Sequence, residues 1–154
     1  MASTLTAATM TVTLTEAITL NGYDQGSSNS KTVAAIGNVF KRIITVPTSE
    51  IVLITNHAST VAGAQFDEDL VKYIRISNKD DTNYVDLVVA NSEADEFCLR
   101  LKAGTSFVLW DQNDMLNADS GAVTPSAGME GIASINAIAD TASVDVEVFV
   151  ASTV

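Results

Sequence analysis

The side chains that most often carry catalysis are sparse in this chain of 154 residues. His57 is the only histidine, and Cys98 is the only cysteine. A Ser-His-Asp triad needs a serine held beside the histidine, and no serine in the chain sits in a G-x-S-x-G turn. One cysteine cannot form an intrachain disulfide, and no cluster of His and Cys offers zinc ligands. The sequence therefore predicts no catalytic residue, no cofactor and no enzymatic activity.

Two acidic segments have the oxygen-rich composition that calcium sites use. The first is Asp67-Glu68-Asp69, and the second contains Asp111, Asn113, Asp114 and Asp119. Loops rich in Asp and Asn can supply the oxygen ligands that calcium requires. Neither segment, however, follows the D-x-D-x-D-G spacing of an EF-hand loop. Solvated loop charge is the preferred interpretation, and no metal site is predicted.

Three aromatic side chains fall on the polar side of predicted strands, where they could stack on a sugar ring. They are Tyr73, Tyr84 and Trp110. Aromatic residues make up only 6% of the chain. Large rings on a sheet surface also serve to cover an interface or a second sheet, because they bury much apolar area. Both interpretations stay open, and the covering role is preferred.

The net charge of −11 comes from the second part of the chain. Up to Phe66 there are three acids and three bases, and from Asp67 onward there are sixteen acids and five bases. Nucleic acids and anionic lipids both attract cationic side chains. We therefore expect no direct binding to nucleic acid or to a membrane surface. No apolar run approaches the ~20 residues of a membrane helix, and no secretory signal is visible, so we expect folding in a cytoplasm.

The secondary structure is clearest between Val71 and Trp110, where the alternation of apolar and polar residues predicts four consecutive strands. The apolar parity, predicted to face a core, comprises Ile74, Ile76, Val85, Leu87, Val89, Phe97, Leu99, Leu101, Phe107 and Leu109. The polar parity carries Arg75, Asp86, Glu96 and Arg100. A meander of these strands would place the four charges on adjacent strands of one face, where they could pair. Gly104 is expected to supply a positive φ in the last turn.

The segments before this stretch are less regular. Alternation from Met10 to Leu20 predicts one long or bulged strand, which Asn21-Gly22 closes, and the polar run up to Lys31 is predicted to be a loop. Residues 32–44 fit a helix or a strand, and a strand is preferred for 39–46. A turn at 47–50 and a short apolar strand at 51–55 follow, and 56–69 is predicted to be irregular.

The last part of the chain contains a long connection and two strands. Residues 111–131 are rich in turn formers and predict a long loop, and long loops inside compact domains commonly carry function. Residues 132–139 and 143–150 are predicted to form a hairpin, with Val144, Val146 and Val148 inward and Asp145 and Glu147 outward.

These strands predict one all-β domain spanning residues 1–154. Its fold class is an antiparallel β-sandwich, jelly-roll-like as first choice and immunoglobulin-like as second. Residues 1–9 are expected to form an N-terminal arm, and residues 111–131 a long loop outside the sandwich.

Several blocks of the sequence resemble small virion structural proteins of tailed bacteriophages, especially those of marine and cyanobacterial hosts. The blocks are LTEAITLNGYDQGSSNS, VFKRIITVPTSEIVLIT, VKYIRISNKDDTNYVDLVV and LRLKAGTSFVLW. The likeness covers residues 11–150 as an order of strand-like blocks. It implies a β-sandwich that decorates or cements a capsid, located in the virion after synthesis in the host cytoplasm.

The resemblance also implies partners. They would be the major capsid protein or other virion proteins, and the chain itself would form a homo-oligomer, a trimer by preference. The candidate interface residues are the apolar members of the arm and the long loop together with the tryptophan before the loop. They are Leu5, Trp110, Met115, Leu116, Val123 and Met129.

Two alternatives to a cement protein stay open. One is a tail or neck accessory subunit, and the other is a glycan-binding module on the virion surface. The charge distribution adds a hypothesis on orientation, in which the neutral first half faces the shell and the acidic remainder faces solvent.

Overall fold

The computed structural model describes residues 6–57, 66–67, 69–91, 96–110 and 132–153. These residues form twelve β-strands. The strands are β1 (Ala8–Glu16), β2 (Thr19–Leu20), β3 (Tyr23–Asp24), β4 (Ser27–Val46), β5 (Ile51–His57), β6 (Phe66–Asp67), β7 (Val71–Asn78), β8 (Val85–Ala90), β9 (Glu96–Leu101), β10 (Ser106–Trp110), β11 (Ser134–Ala139) and β12 (Val144–Thr153).

Ten of the strands form two five-stranded sheets. The first sheet has the order β1-β4-β12-β7-β10, and the second has the order β6-β5-β11-β8-β9. All pairings are antiparallel except that of the short β6 with β5. The remaining strands, β2 and β3, pair only with each other.

The strand order is that of a jelly roll. Among the eight strands from β4 to β12 other than β6, the first pairs with the last (β4 with β12) and the second with the seventh (β5 with β11). The third pairs with the sixth (β7 with β10), and the fourth with the fifth (β8 with β9). This is a long hairpin rolled up so that its paired strands are distributed over two sheets. The all-β sandwich and its jelly-roll topology, predicted from the sequence, are confirmed.

The core lies between the two sheets and is built from the alternating apolar residues. Fully buried members include Ile74 and Ile76 from β7, Val85, Leu87 and Val89 from β8, and Val144, Val146, Val148 and Val150 from β12. These residues are the inward parity predicted from the sequence. Phe97 is an exception, with 39% of its surface exposed, because it lies on β9 at the edge of its sheet.

Two predicted pairings are wrong. The strands between Val71 and Trp110 are not a meander, because β7 and β10 lie in one sheet while β8 and β9 lie in the other. The last two strands are not a hairpin, because β11 and β12 also lie in different sheets. Alternation identifies the side that faces the core, and both sheets face the same core, so alternation does not tell which sheet a strand joins.

The N-terminal segment also differs from the prediction. Residues 27–31 were expected to be a loop, yet they begin β4, a strand of 20 residues. Their Ser, Asn and Lys side chains have low strand propensity, and the hydrogen-bonded pairing with β1 overrides it. β1 begins at Ala8, so the expected arm at 1–9 overlaps this strand, and residues 1–5 lie outside the described part of the chain.

Candidate interaction surface

The most distinctive surface is a two-stranded ribbon formed by residues 8–36, which we call the ribbon. It consists of β1 and the first part of β4, and the small β2–β3 hairpin ends it. β12, the neighbour of β4 on the other side, pairs with it only from Ile36 onward. Every residue from Thr13 to Thr32 is exposed. The ribbon therefore leaves the sandwich, and at about 3.4 Å per residue its strands run for roughly 40 Å.

A tight turn closes the ribbon. Asn21 and Gly22 both have positive φ, 53° and 83°, and link Leu20 to Tyr23. Two successive residues of this conformation make the type I′ turn whose twist matches paired strands, which is why Asn-Gly is favoured there. The predicted closure at Asn21-Gly22 is confirmed. The positive φ predicted at Gly104 is confirmed as well, at 70°.

The two faces of the ribbon differ in chemistry. One face carries hydroxyl groups from Thr11, Thr13, Thr15, Ser28, Ser30 and Thr32. Across the strands, Thr13 bonds to Ser30 (2.9 Å) and Thr15 to Ser28 (3.1 Å). The other face carries Met10 opposite Val33, Val12 opposite Lys31, and Leu14 opposite Asn29. The ribbon is therefore amphipathic, with a polar ladder on one side and an apolar row on the other.

At its base the apolar face is covered by the sandwich. Met10, Val12 and Val33 pack with Trp110 and Phe149 around the buried residues Ile36, Tyr73 and Ala151. This small cluster lies on the outer face of the first sheet, where Tyr73 pairs with Trp110 and Ala151. Closer to the ribbon tip the apolar side chains are exposed, with 54–73% of the surface accessible for Leu14, Ile18, Leu20 and Tyr23.

Three irregularities in pairing coincide at this base. Between the pairs Ala8–Ile36 and Met10–Val33, one residue of β1 faces two of β4. One of those two, Ala35, has a positive φ of 61°. The pairing of β12 with β4 skips Gly37, and the pairing of β12 with β7 skips Lys72. Both register shifts lie next to Ser152 of β12. Bulges bend strands, and here they turn the ribbon from the line of β4 onto the outer face of the sheet.

A cleft of about 440 Å³ lies between the ribbon and the sheet. Its lining comprises Asn29 to Ala34 of β4 together with Lys72 and Trp110. The Lys72 ammonium donates to the carbonyl of Asp69 (2.6 Å). The cleft thus combines an indole ring, ammonium groups and hydroxyl groups.

The four charged residues of the polar parity are divided between the two sheets. Asp86 receives two bonds of 2.8 Å from Arg100 across β8 and β9, in line with the predicted pairing across strands. Arg75 lies in the first sheet and binds Glu147 of β12. The prediction that all four share one face is therefore wrong for Arg75, because β7 is not a neighbour of β8.

These ion pairs lower the pKa values of the carboxyl groups that they contain. Hydrogen bonds from Arg100 hold the pKa of Asp86 below its usual range, and those from Arg75 lower the pKa of Glu147. Each such bond stabilises the charged form of the carboxylate. Both pairs lie at the surface of the sandwich and fix strand register, since each bridges two paired strands.

The two tyrosines considered as candidates for stacking on a sugar lie in different environments. Burial raises the pKa of Tyr73, which is covered by the ribbon and forms an edge contact with Phe149 at 5.8 Å. On the other sheet, Arg100 stacks 3.6 Å from the centre of the Tyr84 ring, and a hydrogen bond to Asp140 raises the pKa of Tyr84. Tyr73 and Trp110 are therefore brought together, whereas Tyr84 is not part of their cluster.

Among the predicted interface residues, Trp110 is described, and it contacts the ribbon. Leu5, Met115, Leu116, Val123 and Met129 lie outside the described residues. The acidic segment 111–119 and Glu68 lie outside them as well, and Asp67 accepts a bond from the Asp69 amide. Within the described ranges, no three His, Cys, Asp or Glu side chains group as metal ligands would. In the same ranges, no helix is long and apolar enough to cross a membrane.

Sequence reasoning missed the ribbon, which is the main surface feature. Two signals for it are present in the sequence. One is the alternation of threonine with Met10, Val12 and Leu14, and the other is the hairpin turn Asn21-Gly22. A symmetrical hairpin about that turn would have placed residues 27–31 in a strand.

No family model, curated protein or solved structure matches this chain. Its class therefore follows from the strand order and the ribbon. It is a jelly-roll β-sandwich that carries a projecting, amphipathic β-ribbon.

Proposed function

We propose that this protein is a non-enzymatic structural protein of a bacteriophage virion, most simply a capsid decoration or cement protein. It joins neighbouring subunits through the ribbon. The observation that carries the proposal is the exposure of the whole ribbon from Thr13 to Thr32 together with its apolar side chains.

A ribbon of this kind gains stability from a partner. An isolated two-stranded hairpin is at best marginally stable in water, because it has no third strand or packed face. Each half-exposed Leu, Ile or Tyr of the ribbon would contribute roughly 1–2 kcal/mol if a neighbour covered the rest of its surface. Apolar surface presented on a projecting element is typical of an interaction site.

The fold is compatible with this role. Jelly rolls build viral capsid subunits and lectins, and a fold alone does not assign a function. In this proposal the ribbon is the bridging element, and residues 1–5 and 111–131, which hold most of the interface residues predicted from the sequence, lie outside the described residues. The position of the ribbon also fits the tail and neck assemblies of the alternative proposal, since bridging by a hairpin is equally useful there.

The proposal is tested on shells of the phage that encodes the chain, prepared without this protein. Wild-type protein should co-sediment with the shells and raise the temperature at which they open. A variant with Ile18→Ser, Leu20→Ser and Tyr23→Ser should lose most of that effect, because the exposed apolar surface is gone.

The matched control changes the opposite face of the same ribbon. Thr13→Ala with Thr15→Ala removes two hydroxyl pairs and leaves the apolar residues intact, so shell binding should persist. Wild-type protein that ignores the shells would overturn the proposal. Equal binding by the triple variant would show that the ribbon is not the attachment element.

The cleft at Trp110 favours a second candidate function, glycan binding. An indole ring beside ammonium and hydroxyl groups suits an acidic sugar, which would stack on the ring and accept hydrogen bonds. Lys72→Ala should then lower the affinity for an acidic glycan on an array without altering thermal unfolding. An array on which wild-type protein binds no glycan would remove this candidate.

A further inference from the structure

One edge of the sandwich body, along β4, lies beside exposed apolar residues. Beyond Ile36, β4 pairs with β12 on one side. On its other side β1 ends at Ala8, so residues 38–46 face no paired strand within the described part of the chain. This edge belongs to the first sheet, the sheet that also carries the ribbon.

Three residues on the outer face of this edge, Val39, Lys41 and Ile43, form a patch, which we call the edge patch. Val39 and Ile43 are 51% and 62% exposed and lie on the outer face of the sheet, with Lys41 between them. Arg42 points to the other face and stacks over the Phe40 ring at 5.4 Å. An inward-pointing charge protects an edge from indiscriminate strand pairing, so a partner here contacts side chains.

The ribbon tip is complementary to this patch in both charge and polarity. Its exposed apolar residues are Ile18, Leu20 and Tyr23, and its charges are Glu16 and Asp24. The chain has 19 acids and 8 bases, so most surfaces of two copies repel each other. An acidic apolar tip against a basic apolar patch avoids that repulsion.

The tip of a chain lies far from its own edge patch. The ribbon starts at β4, on one side of the sheet, and its base packs on Trp110 of β10, the strand at the opposite edge. The exposed part from Thr13 to Thr32 continues beyond that contact. The tip and the edge patch are therefore at opposite ends of the molecule, the arrangement that joins copies head to tail.

We propose that the ribbon tip of one copy docks on the edge patch of the next. This inference rests on the proposed function and names the neighbour that the ribbon binds, which is a second copy of this chain. Tyr23, Leu20 and Ile18 cover Val39 and Ile43, while Asp24 and Glu16 face Lys41. Such a contact is heterologous, and repetition by a rotation that closes produces a ring such as a trimer.

The experiment measures self-association of the full-length protein by sedimentation velocity, over about 1–200 µM. Wild-type protein should form a defined oligomer. Lys41→Glu and Asp24→Lys should each weaken association by at least about tenfold, because each brings like charges together. The double variant should recover much of the wild-type affinity, since it restores opposite charges with the signs exchanged.

Lys102→Glu is the matched control, because it makes the same charge change at an exposed lysine beyond the end of β9, away from both surfaces. Thermal unfolding of every variant checks folding, since Lys41 also lies 3.6 Å from Glu147. The proposal is overturned if wild-type protein is monomeric throughout, or if the double variant associates no better than the single ones.

The outcomes also separate this inference from the proposed function. A monomeric protein that binds phage shells would overturn head-to-tail docking alone. A protein that neither associates nor binds shells would overturn both. The protein could instead form a symmetric dimer whose stability the charge exchange does not change. In that case the ribbon tip binds a different surface of the second copy, and the docking described above is overturned.

Discussion

Asn78 shows how a single buried polar side chain holds the two sheets together. It ends β7, and its amide donates to the carbonyls of Asn83 (2.9 Å) and Leu101 (3.1 Å). Its side-chain oxygen accepts from the Asp80 amide (2.8 Å). The residue thus ties the end of one sheet to the crossing into β8 and to the end of β9, and a buried polar group is tolerated because its bonds are made.

Asn78→Ala should lower the free energy of unfolding by about 2–3 kcal/mol, since it leaves buried carbonyl groups without a donor. Urea unfolding followed by tryptophan fluorescence measures the change. Asn29→Ala, at an exposed ribbon position, is the control and should cost less than about 0.5 kcal/mol. A loss below about 1 kcal/mol for Asn78→Ala would show that water replaces the amide.

The Asp86–Arg100 pair predicts a defined pH dependence. The folded pKa of Asp86 is lowered by Arg100, so the pair stabilises fully above the unfolded pKa of about 3.9. This stabilisation is lost as the pH falls through the lower folded value. A double-mutant cycle with Asp86→Asn and Arg100→Met should give favourable coupling at neutral pH and none in strong acid.

The cycle separates this pair from the overall charge of the chain, which changes over the same pH range. Lys102→Met in place of Arg100→Met serves as the control, since Lys102 lies beyond the end of β9. It should show little coupling to Asp86 at any pH. Coupling that grows on acidification would contradict the assignment.

Ala35 is the residue at which the ribbon bends. Its positive φ is costly for a side chain with a Cβ, and glycine adopts it freely. Ala35→Gly should therefore raise the free energy of unfolding by about 0.5–1 kcal/mol, after the entropic cost of glycine is subtracted. Ala34→Gly, at its neighbour, should instead lower it by about 0.5–1 kcal/mol. Thermal unfolding of the pair tests the bend directly.

At the scale of elements, the ribbon and the sandwich should be separable. The main core contains no residue from the exposed stretch Thr13–Thr32, and only the ribbon base contacts the sheet. The long ribbon strands contribute little to the free energy of unfolding of the sandwich, because a strand stabilises a fold mainly through a packed face.

A ribbonless variant tests this separation. Met10 and Val33 are register partners, so Asn-Gly can join them directly as a type I′ turn. The variant should unfold cooperatively, with a free energy of unfolding within about 2 kcal/mol of wild type, the difference reflecting Val12. Denaturant titration measures it. Failure to fold would show that the ribbon contributes to the sandwich itself.

For the molecule as a whole, the last strand, β12, connects the two halves of the first sheet. β12 lies between β4 and β7 in the first sheet and supplies Val144, Val146, Val148 and Val150 to the core. Pairs such as Ile36 with Thr153 form across most of the chain. Folding of such a topology is limited by long loop closures, which makes it slow.

A chain truncated after Asp140 should not fold, since it lacks the strand that joins the two halves of the first sheet. Near-UV circular dichroism and the absence of a cooperative thermal transition would report this. The effect contrasts with the mild one expected for the ribbonless variant, although the ribbonless variant loses more strand residues. Cooperative unfolding of the truncated chain would contradict the central role of β12.

The positions of most strands, and the side of each strand that faces the core, could be predicted from the sequence. The sequence also placed the turns at Asn21-Gly22 and Gly104, because these depend on neighbouring residues and on the period of the side chains. Three features depend on the tertiary structure: sheet membership, the pairing of Arg75 with Glu147, and the extension of β4 through 27–31. Both sheets face the same core, so an inward side chain does not reveal which sheet its strand joins. Polar residues adopt strand structure when a paired strand forms hydrogen bonds with their backbone.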